Sequence, residues 1–490
     1  MKILLIYPQY SHSSEFDSRA PSMALFYLAA SLEKQGHTVR VFDASLGPIT
    51  RTGNVFRYGL SHEEVADVLK AEIFDLAGIS CSFTARWPFV RKVAEQIKEI
   101  YPGKPVLIGG LYPTYAWEDC LRSCPSVDVV LLGEGEQSFG QLASGMQKGL
   151  GLADACRGID GISWRKADIF QVNPKTNYID ALDDLPFPSW HLADLKTYFR
   201  LQKSIFELPA PCLPILSSRS CPFRCSFCNM YITHGRRWRA RSAVNVLDEL
   251  QYLVKTFGVR RFYFVDDNFS IDLERAKTIC RGIIDRKLGI KYNFHNGLSI
   301  KTIDRELVEL MKKSGCTSVC LAIESGSERV RNAIYRKGLP TQKIKDVVGW
   351  FLKAGIPTIG YFMVGAPGET KDDFLMSRDL VATLPLSLIT VGIYTPYPQT
   401  ELYDECKKRG WLKEPGANEE GRVEMFSTML QTPDFTVDEV GAWQKELYLT
   451  FIRHHWPTLI RELVRPWGVV NMDMIGKFLG MIRFRSFLRK

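Results

Sequence analysis

With 490 residues, 46% of them hydrophobic, and a net charge of +9, the chain is too long for one hydrophobic core and too apolar for a disordered one. No stretch reaches the roughly twenty uninterrupted apolar residues that span a bilayer, and the excess of base is modest for this length, so no nucleic-acid partner is expected. Twelve cysteines scattered along a long chain point to free thiols in a reducing compartment, the cytoplasm, rather than to a disulfide scaffold.

The opening run Met1 to Pro8 is too short for a secretory signal and no small-residue cleavage site follows it, so it reads as a first β-strand. Apolar runs at 2–7, 38–43, 75–80, 104–108 and 127–132 alternate with helical spacing over 20–36, 61–71, 84–100 and 136–147. That order predicts an α/β domain over 1–149, a doubly wound parallel sheet of Rossmann-like type, in which a ligand lies beyond the carboxyl ends of the strands. Those ends carry Pro8-Gln9-Tyr10, Asp43-Ala44-Ser45, Cys81-Ser82-Phe83, Gly109-Gly110-Leu111-Tyr112 and Gly133-Glu134-Gly135-Glu136. No GxGxxG follows the first strand, which argues against a nicotinamide cofactor.

Residues 150–209, with scattered Pro and Asp, read as a linker holding a small hairpin. The β/α alternation resumes over 210–400, with strands near 213–219, 261–266, 292–296, 318–324, 357–364 and 388–394. Helical segments near 242–256, 272–286, 303–314, 341–354 and 371–383 separate them. Six units are too few for a closed eight-stranded barrel, so an incomplete (β/α)6 TIM barrel, open on one side, is the economical reading. Residues 401–490 are mainly helical in pattern.

Just after the first strand of the second domain, Ser220-Cys221-Pro222-Phe223-Arg224-Cys225-Ser226-Phe227-Cys228 sets three thiols in a CxxxCxxC spacing. Soft thiolates this close on one loop suit adjacent corners of an iron-sulfur cube. A structural zinc site wants four protein ligands, and no His or fourth Cys completes the local set.

On this motif, residues 210–400 resemble the radical S-adenosylmethionine (SAM) superfamily. The resemblance implies a 4Fe-4S cluster on Cys221, Cys225 and Cys228 whose open iron chelates SAM; reductive cleavage then gives a 5′-deoxyadenosyl radical. Phe264-Val265-Asp266-Asp267-Asn268-Phe269 resembles the family's acidic strand end, which makes Asp266, Asp267 and Asn296 candidates for the substrate cavity. Ala322-Ile323-Glu324-Ser325-Gly326-Ser327 resembles its SAM-contacting segment, so Phe227, Glu324, Ser325 and Gly326 are candidate SAM contacts. An Asp pair at a strand end is otherwise more often a helix N-cap.

The order of the two domains is similar to the cobalamin-binding subgroup of these enzymes, over nearly the whole chain. By that resemblance Cys81, Ser82, Gly109, Gly110, Gly133, Glu134, Gly135 and Glu136 are candidate cobalamin contacts. Tyr112 stands where the family often has His, and Gln399 where it usually has Gly. No histidine has Asp two residues before it, so the DxHxxG cobalt ligand is absent. The resemblance implies a methyltransferase acting on an unactivated carbon, or on phosphorus, of a small-molecule or lipid substrate, with an electron donor such as flavodoxin or ferredoxin as partner. A radical SAM oxidoreductase or cyclase of the same architecture, a methylthiotransferase using Cys81, Cys120 or Cys124 and Cys156, and a non-catalytic cobalamin or SAM sensor are the alternatives.

From Arg453 to Lys490 there are eight Lys or Arg against Glu462 and Asp473, interleaved with aromatic residues. Such a segment suits contact with an anionic membrane surface, or a cap over the open side of the barrel.

Overall fold

A computed structural model describes residues 1–12, 19–53, 55–166, 169–202, 208–412, 430–465 and 469. The chain divides into two compact units. The first is Met1–Gln202 with Met230–Ala240; the second takes 208–229, 241–412 and 430–465.

In the first unit, strands β1 (Lys2–Tyr7), β2 (Thr38–Asp43), β3 (Leu76–Ser80), β4 (Val106–Gly109), β5 (Val129–Leu131), β6 (Ile162–Lys166) and β7 (Ile169–Asn173) form one sheet. Its order is β7-β6-β5-β4-β3-β1-β2. The first five strands pair in parallel, and β6 and β7 add antiparallel. Apolar residues run continuously along β1 because both faces are covered: Leu4 and Ile6 enter one core, Ile3 and Leu5 the other. Helices α1 (Met23–Lys34), α2 (His62–Ala71), α3 (Trp87–Ile100), α4 (Trp117–Ser123) and α5 (Glu136–Gln147) supply those covers. At the start of α2, Ser61 and Glu64 cap each other's backbone N–H groups.

Chain order reverses between β1 and β3, so their carboxyl ends open the crevice where sheets of this type bind ligands. The segment read as a linker behaves differently from expectation through residue 202. Its hairpin, β6 and β7, is the edge of this sheet, because alternating side chains such as Ile162 and Trp164 complete the second core.

The second unit holds a six-stranded, all-parallel sheet in sequential order: β8 (Leu213–Ile215), β9 (Arg261–Phe264), β10 (Lys291–Leu298), β11 (Cys316–Glu324), β12 (Thr358–Val364) and β13 (Leu388–Ile393). Helices α6 (Ala243–Phe257), α7 (Leu273–Asp285), α8 (Arg305–Ser314), α9 (Thr341–Ala354) and α10 (Lys371–Thr383) join consecutive strands from β8 to β13. Rings of Phe264, Phe269, Tyr292 and Phe294 pack at centroid separations of 4.7 to 5.7 Å in its interior.

Helix α11 (Val437–Val464) closes the β13 edge. Gln444 Nε2 donates to the Val391 carbonyl at 2.7 Å, and Tyr448 Oη accepts from Val391 N at 3.0 Å, so side chains satisfy the free backbone groups of Val391 on this edge. The helix breaks at His455 (φ −122°), two residues before Pro457, whose ring cannot coexist with a regular turn. Among the described residues, no helix is long and apolar enough to cross a membrane.

Candidate functional site

In the second unit, Cys221, Cys225 and Cys228 lie on the loop that follows Ser218–Arg219, each partly exposed and none in a disulfide. The loop is held from several sides. Ser226 donates through Oγ to the Ile334 carbonyl (2.6 Å) and through N to that of Tyr335 (3.1 Å), while its own carbonyl accepts from Leu402 N. Asn268 Nδ2 points at the Cys221 sulfur at 3.8 Å. Phe227 meets the Tyr335 ring edge-on at 5.0 Å, and Lys301 Nζ sits 4.1 Å from the centre of the Phe223 ring. Among the described residues no three His, Cys, Asp or Glu side chains converge on one metal ion.

Burial raises the pKa of Cys221 and Cys225. The Lys337 cation opposes this at Cys225, and the Phe223 backbone N–H and Asn268 oppose it at Cys221. Lys337, which the sequence analysis did not single out, is therefore a member of the site. Its Nζ donates to Glu324 Oε1 at 2.6 Å, and both side chains are about nine-tenths buried. Glu324 ends β11 with φ +70°, Ser220 precedes Cys221 with φ +71°, and Arg336 precedes Lys337 with φ +52°. These are three of the five non-glycine residues with positive φ among those described. Left-handed backbone of this kind costs of order 1–3 kcal/mol per residue and persists where surrounding structure enforces it.

The acidic strand end has a supporting place. Asp266 is buried, with Oδ1 accepting from Ser217 N (2.7 Å) and Oδ2 from the hydroxyls of Ser217 (2.5 Å) and Ser218 (2.6 Å). Asp267 Oδ2 accepts from Ser220 N at 2.9 Å. The two carboxylates thus pin the stretch leading into Cys221 and cap no helix; the N-cap of α7 is Asp272. Asn296 is exposed and donates to the Val265 carbonyl at 2.7 Å.

Ser325 Oγ faces Ser377 Oγ (3.1 Å) and accepts from Ser327 N, so its hydroxyl is occupied within its own turn. A Cβ at Gly326 would lie 2.3 Å from the Met376 carbonyl of α10, so this glycine permits a helix to approach.

In the first unit, Tyr7, Gln9, Tyr10, Cys81 and Arg86 gather at the carboxyl ends of β1 and β3. The Arg86 guanidinium lies 4.6 and 4.2 Å from the ring centres of Tyr7 and Tyr10. Gln9 is fully buried; its Nε2 meets His62 Nδ1 at 2.9 Å, and its Oε1 has no partner. Cys81 is buried and its pKa is pushed up to about 12 by desolvation. Ser82 and Gly109 are partly exposed beside it. Gly110 has φ +121°, and a Cβ there would stand 2.5 Å from the Cys81 carbonyl, so only glycine lets the two loops run this close. Tyr112 packs on Trp87 and Tyr115 at 5.9 and 5.5 Å.

Glu134 takes no part in lining this crevice with a free carboxylate. It is buried and bidentate with Arg239, at 2.6 and 2.9 Å, and it also accepts from Ile179 N (3.1 Å) and lies 3.3 Å from His234 Nδ1. Gly133, with φ +67°, turns the chain into this pair; Gly135 precedes α5, and Glu136 is buried in its first turn.

Residues 215–381 match the Radical SAM superfamily and residues 14–143 the B12 binding domain. Over 474 residues, 96% of each chain, the protein is 28% identical to an uncharacterized methyltransferase of Pyrococcus horikoshii. It is 27% identical to the cytidylyl-2-hydroxyethylphosphonate methyltransferase of Streptomyces wedmorensis, over 80% of this chain and 78% of that one. The fold superposes with a TM-score of 0.69 on the radical SAM methyltransferase TsrM of Kitasatospora setae, at 19% identity, covering 85% of this chain and 79% of that one.

A three-thiol loop at the head of an open, sequential parallel sheet, with these matches, defines a radical SAM enzyme. The doubly wound first unit carries a B12 binding domain and the second unit a Radical SAM domain.

The two matched domains imply a 4Fe-4S cluster, SAM and cobalamin as cofactors. The residues present fit them. The thiol loop offers three soft donors under backbone strain, and the Glu324–Lys337 pair offers both signs of charge to the amino and carboxylate groups of SAM. The β1–β3 crevice offers the unsatisfied Gln9 Oε1 and the close-packed Gly110 turn to an amide-rich ligand.

Proposed function

We propose that the protein transfers a methyl group from SAM to an unactivated carbon of a small-molecule or lipid substrate, phosphorus being the less favoured acceptor. The observation that supports this best is the joining in one chain of a B12-type switch-point fold and a cluster loop, at near-full-length similarity to methyltransferases. When bound, the cluster supplies an electron at low potential and cobalamin a carrier for the methyl group.

The chain's own residues then have distinct tasks. Cys221, Cys225 and Cys228 hold three irons, with Asp266, Asp267 and Ser226 fixing the backbone from which they project. Glu324 and Lys337 orient SAM by its amino and carboxylate ends, and Phe227 shields one side of that position from water. Ser325 and Gly326 brace the turn through α10. Cys81, Ser82, Gly109 and Gly110 would form the rim for cobalamin, with Gly133, Gly135 and Glu136 setting the neighbouring turn. Electrons come from a flavodoxin- or ferredoxin-like protein in the cytoplasm.

The test is anaerobic reconstitution from cells supplied with cobalamin, followed by product analysis. About one cobalt per chain, a product heavier by one CH2 unit, and two SAM consumed per product, one as 5′-deoxyadenosine and one as S-adenosylhomocysteine, are expected. A product of oxidation or ring closure with no added carbon would overturn methyl transfer, and failure to form 5′-deoxyadenosine with dithionite would overturn catalysis altogether.

A further inference from the structure

Beyond the break at His455, α11 turns an apolar stripe to solvent. Trp456, Ile460 and Val464 recur every four residues, so they lie along one face of the helix, with 58%, 54% and 75% of their surfaces exposed. Other apolar side chains of this segment, such as Leu459, are buried, so the stripe is a separate face. Single exposed apolar residues need no account, but a contiguous row at helical spacing marks an interaction surface.

The charge beside the stripe is predominantly positive. Arg453 and Arg461 are exposed, and Arg465 and Lys312 both donate to the Gly355 carbonyl, at 2.5 and 3.1 Å, which brings two cations together at its end. Across 453–465 the one acid, Glu462, has a fully buried side chain that meets Arg465 at 3.2 Å and Arg461 at 3.7 Å, and Arg453 meets Glu446 at 3.7 Å, so the rim keeps an excess of cations over acids. A surface that gathers cations around an apolar row, with a tryptophan at one end, matches the interfacial region of an anionic bilayer. The indole and aliphatic groups enter at headgroup depth and the guanidinium groups meet lipid phosphate. A second copy of this chain would bring the same cations against each other, so like charge disfavours self-association. The sequence continues from Arg465 with five more Lys or Arg, against the single Asp473, among further aromatic and aliphatic residues, which extends the same chemistry.

We propose that the stripe Trp456–Ile460–Val464, rimmed by Arg453, Arg461, Arg465 and Lys312, docks the enzyme on an anionic lipid surface. Its occupation is independent of the cofactors and of the reaction assigned above.

The experiment is co-sedimentation of the full chain with phosphatidylcholine vesicles with and without phosphatidylglycerol, with Trp emission followed in parallel. Binding to the phosphatidylglycerol vesicles is expected, with a blue shift of the emission and release as salt screens the charges. The triple variant Trp456→Ser, Ile460→Ser, Val464→Ser, all at exposed positions, should bind at least tenfold more weakly while keeping its iron content and far-UV circular dichroism. Arg461→Glu should weaken binding to anionic vesicles without changing the little seen on phosphatidylcholine. Failure of the full chain to bind phosphatidylglycerol vesicles would overturn the proposal. So would undiminished binding by the triple variant, or a concentration-dependent dimer that the triple variant abolishes, since that assigns the stripe to a second copy.

Discussion

The two units use their strand ends in opposite ways. In the second, the loop after β8 leaves three thiols partly open, and the backbone around them is strained at Ser220, Glu324 and Arg336. In the first, the ends of β3, β4 and β5 close inward: Cys81 is buried, Gly110 packs on its carbonyl, and Glu134 is sealed in an ion pair. A cluster ligand must become a thiolate and reach its iron, so it needs access and nearby cations. A rim for a large planar ligand needs rigid backbone with little side chain, which close-packed glycine turns supply. The same residue type, cysteine, therefore has two fates set by the loop it occupies.

The sharpest test of that contrast exchanges the two thiols. Cys225→Ala should abolish the visible absorption of the reconstituted cluster and all SAM cleavage, whereas Cys120→Ala, in the apolar core of the first unit, should keep both and lose only about 1–3 kcal/mol of stability. Loss of iron from the Cys120 variant would break the comparison.

Next in size is the sealed pair. Glu134→Ala leaves Arg239 a buried cation without its partner, and urea unfolding should show a loss of about 3–5 kcal/mol. Glu134→Gln, which keeps an acceptor, should lose less.

Glu369, at the end of β12, extends the comparison to protonation. It is fully buried and its pKa is raised to about 7 by desolvation, although Gly365 N and Ala366 N both donate to its Oε2. The folded chain thus holds a proton that the unfolded chain releases at about 4.5. Its contribution to stability is present below that value and is lost as pH rises through about 7. Glu369→Gln should flatten this dependence, and above pH 7 it should exceed the parent by up to about 3 kcal/mol in denaturant titrations at a series of pH values.

The smallest effect concerns Gln399, which holds φ +65° at the position where the family resemblance leads one to expect Gly. Gln399→Gly removes left-handed strain but frees the unfolded chain, so a gain within about 1 kcal/mol in thermal or denaturant unfolding is expected.

Much of this fold is legible in the sequence. The runs at 2–7 and 38–43 and the helices at 136–147, 341–354 and 371–383 have the bounds that periodicity assigns them. Parallel strands buried on two faces leave an apolar signature that little else imitates. The CxxxCxxC loop is visible in the sequence because its three thiols fall within eight residues of one another. What sequence does not carry is which polar groups meet across long separations. Asp266 sits at a strand end as expected, but its acceptors are taken by Ser217 and Ser218, 49 and 48 positions away, and Glu134 finds Arg239 at a distance of 105. Lys337 lay unnoticed in a polar stretch because only tertiary structure sets it against Glu324. The hairpin at 162–173 read as part of a linker because its edge strand β7 is short and covered on neither face by a clear apolar pattern, with Ile169 and Val172 turned to solvent.

The path of the chain after the cluster loop limits how this enzyme can be recombined. Met230–Ala240 starts two residues past Cys228, yet its contacts count it with the first unit, through Arg239 on Glu134. A cut near residue 209 would therefore not deliver a self-contained first domain: the excised piece would keep a buried carboxylate and lose its counter-cation. A donor first domain for a chimera of this architecture must therefore bring its own stretch from downstream of the CxxxCxxC loop, a spliced piece rather than a bead on a string.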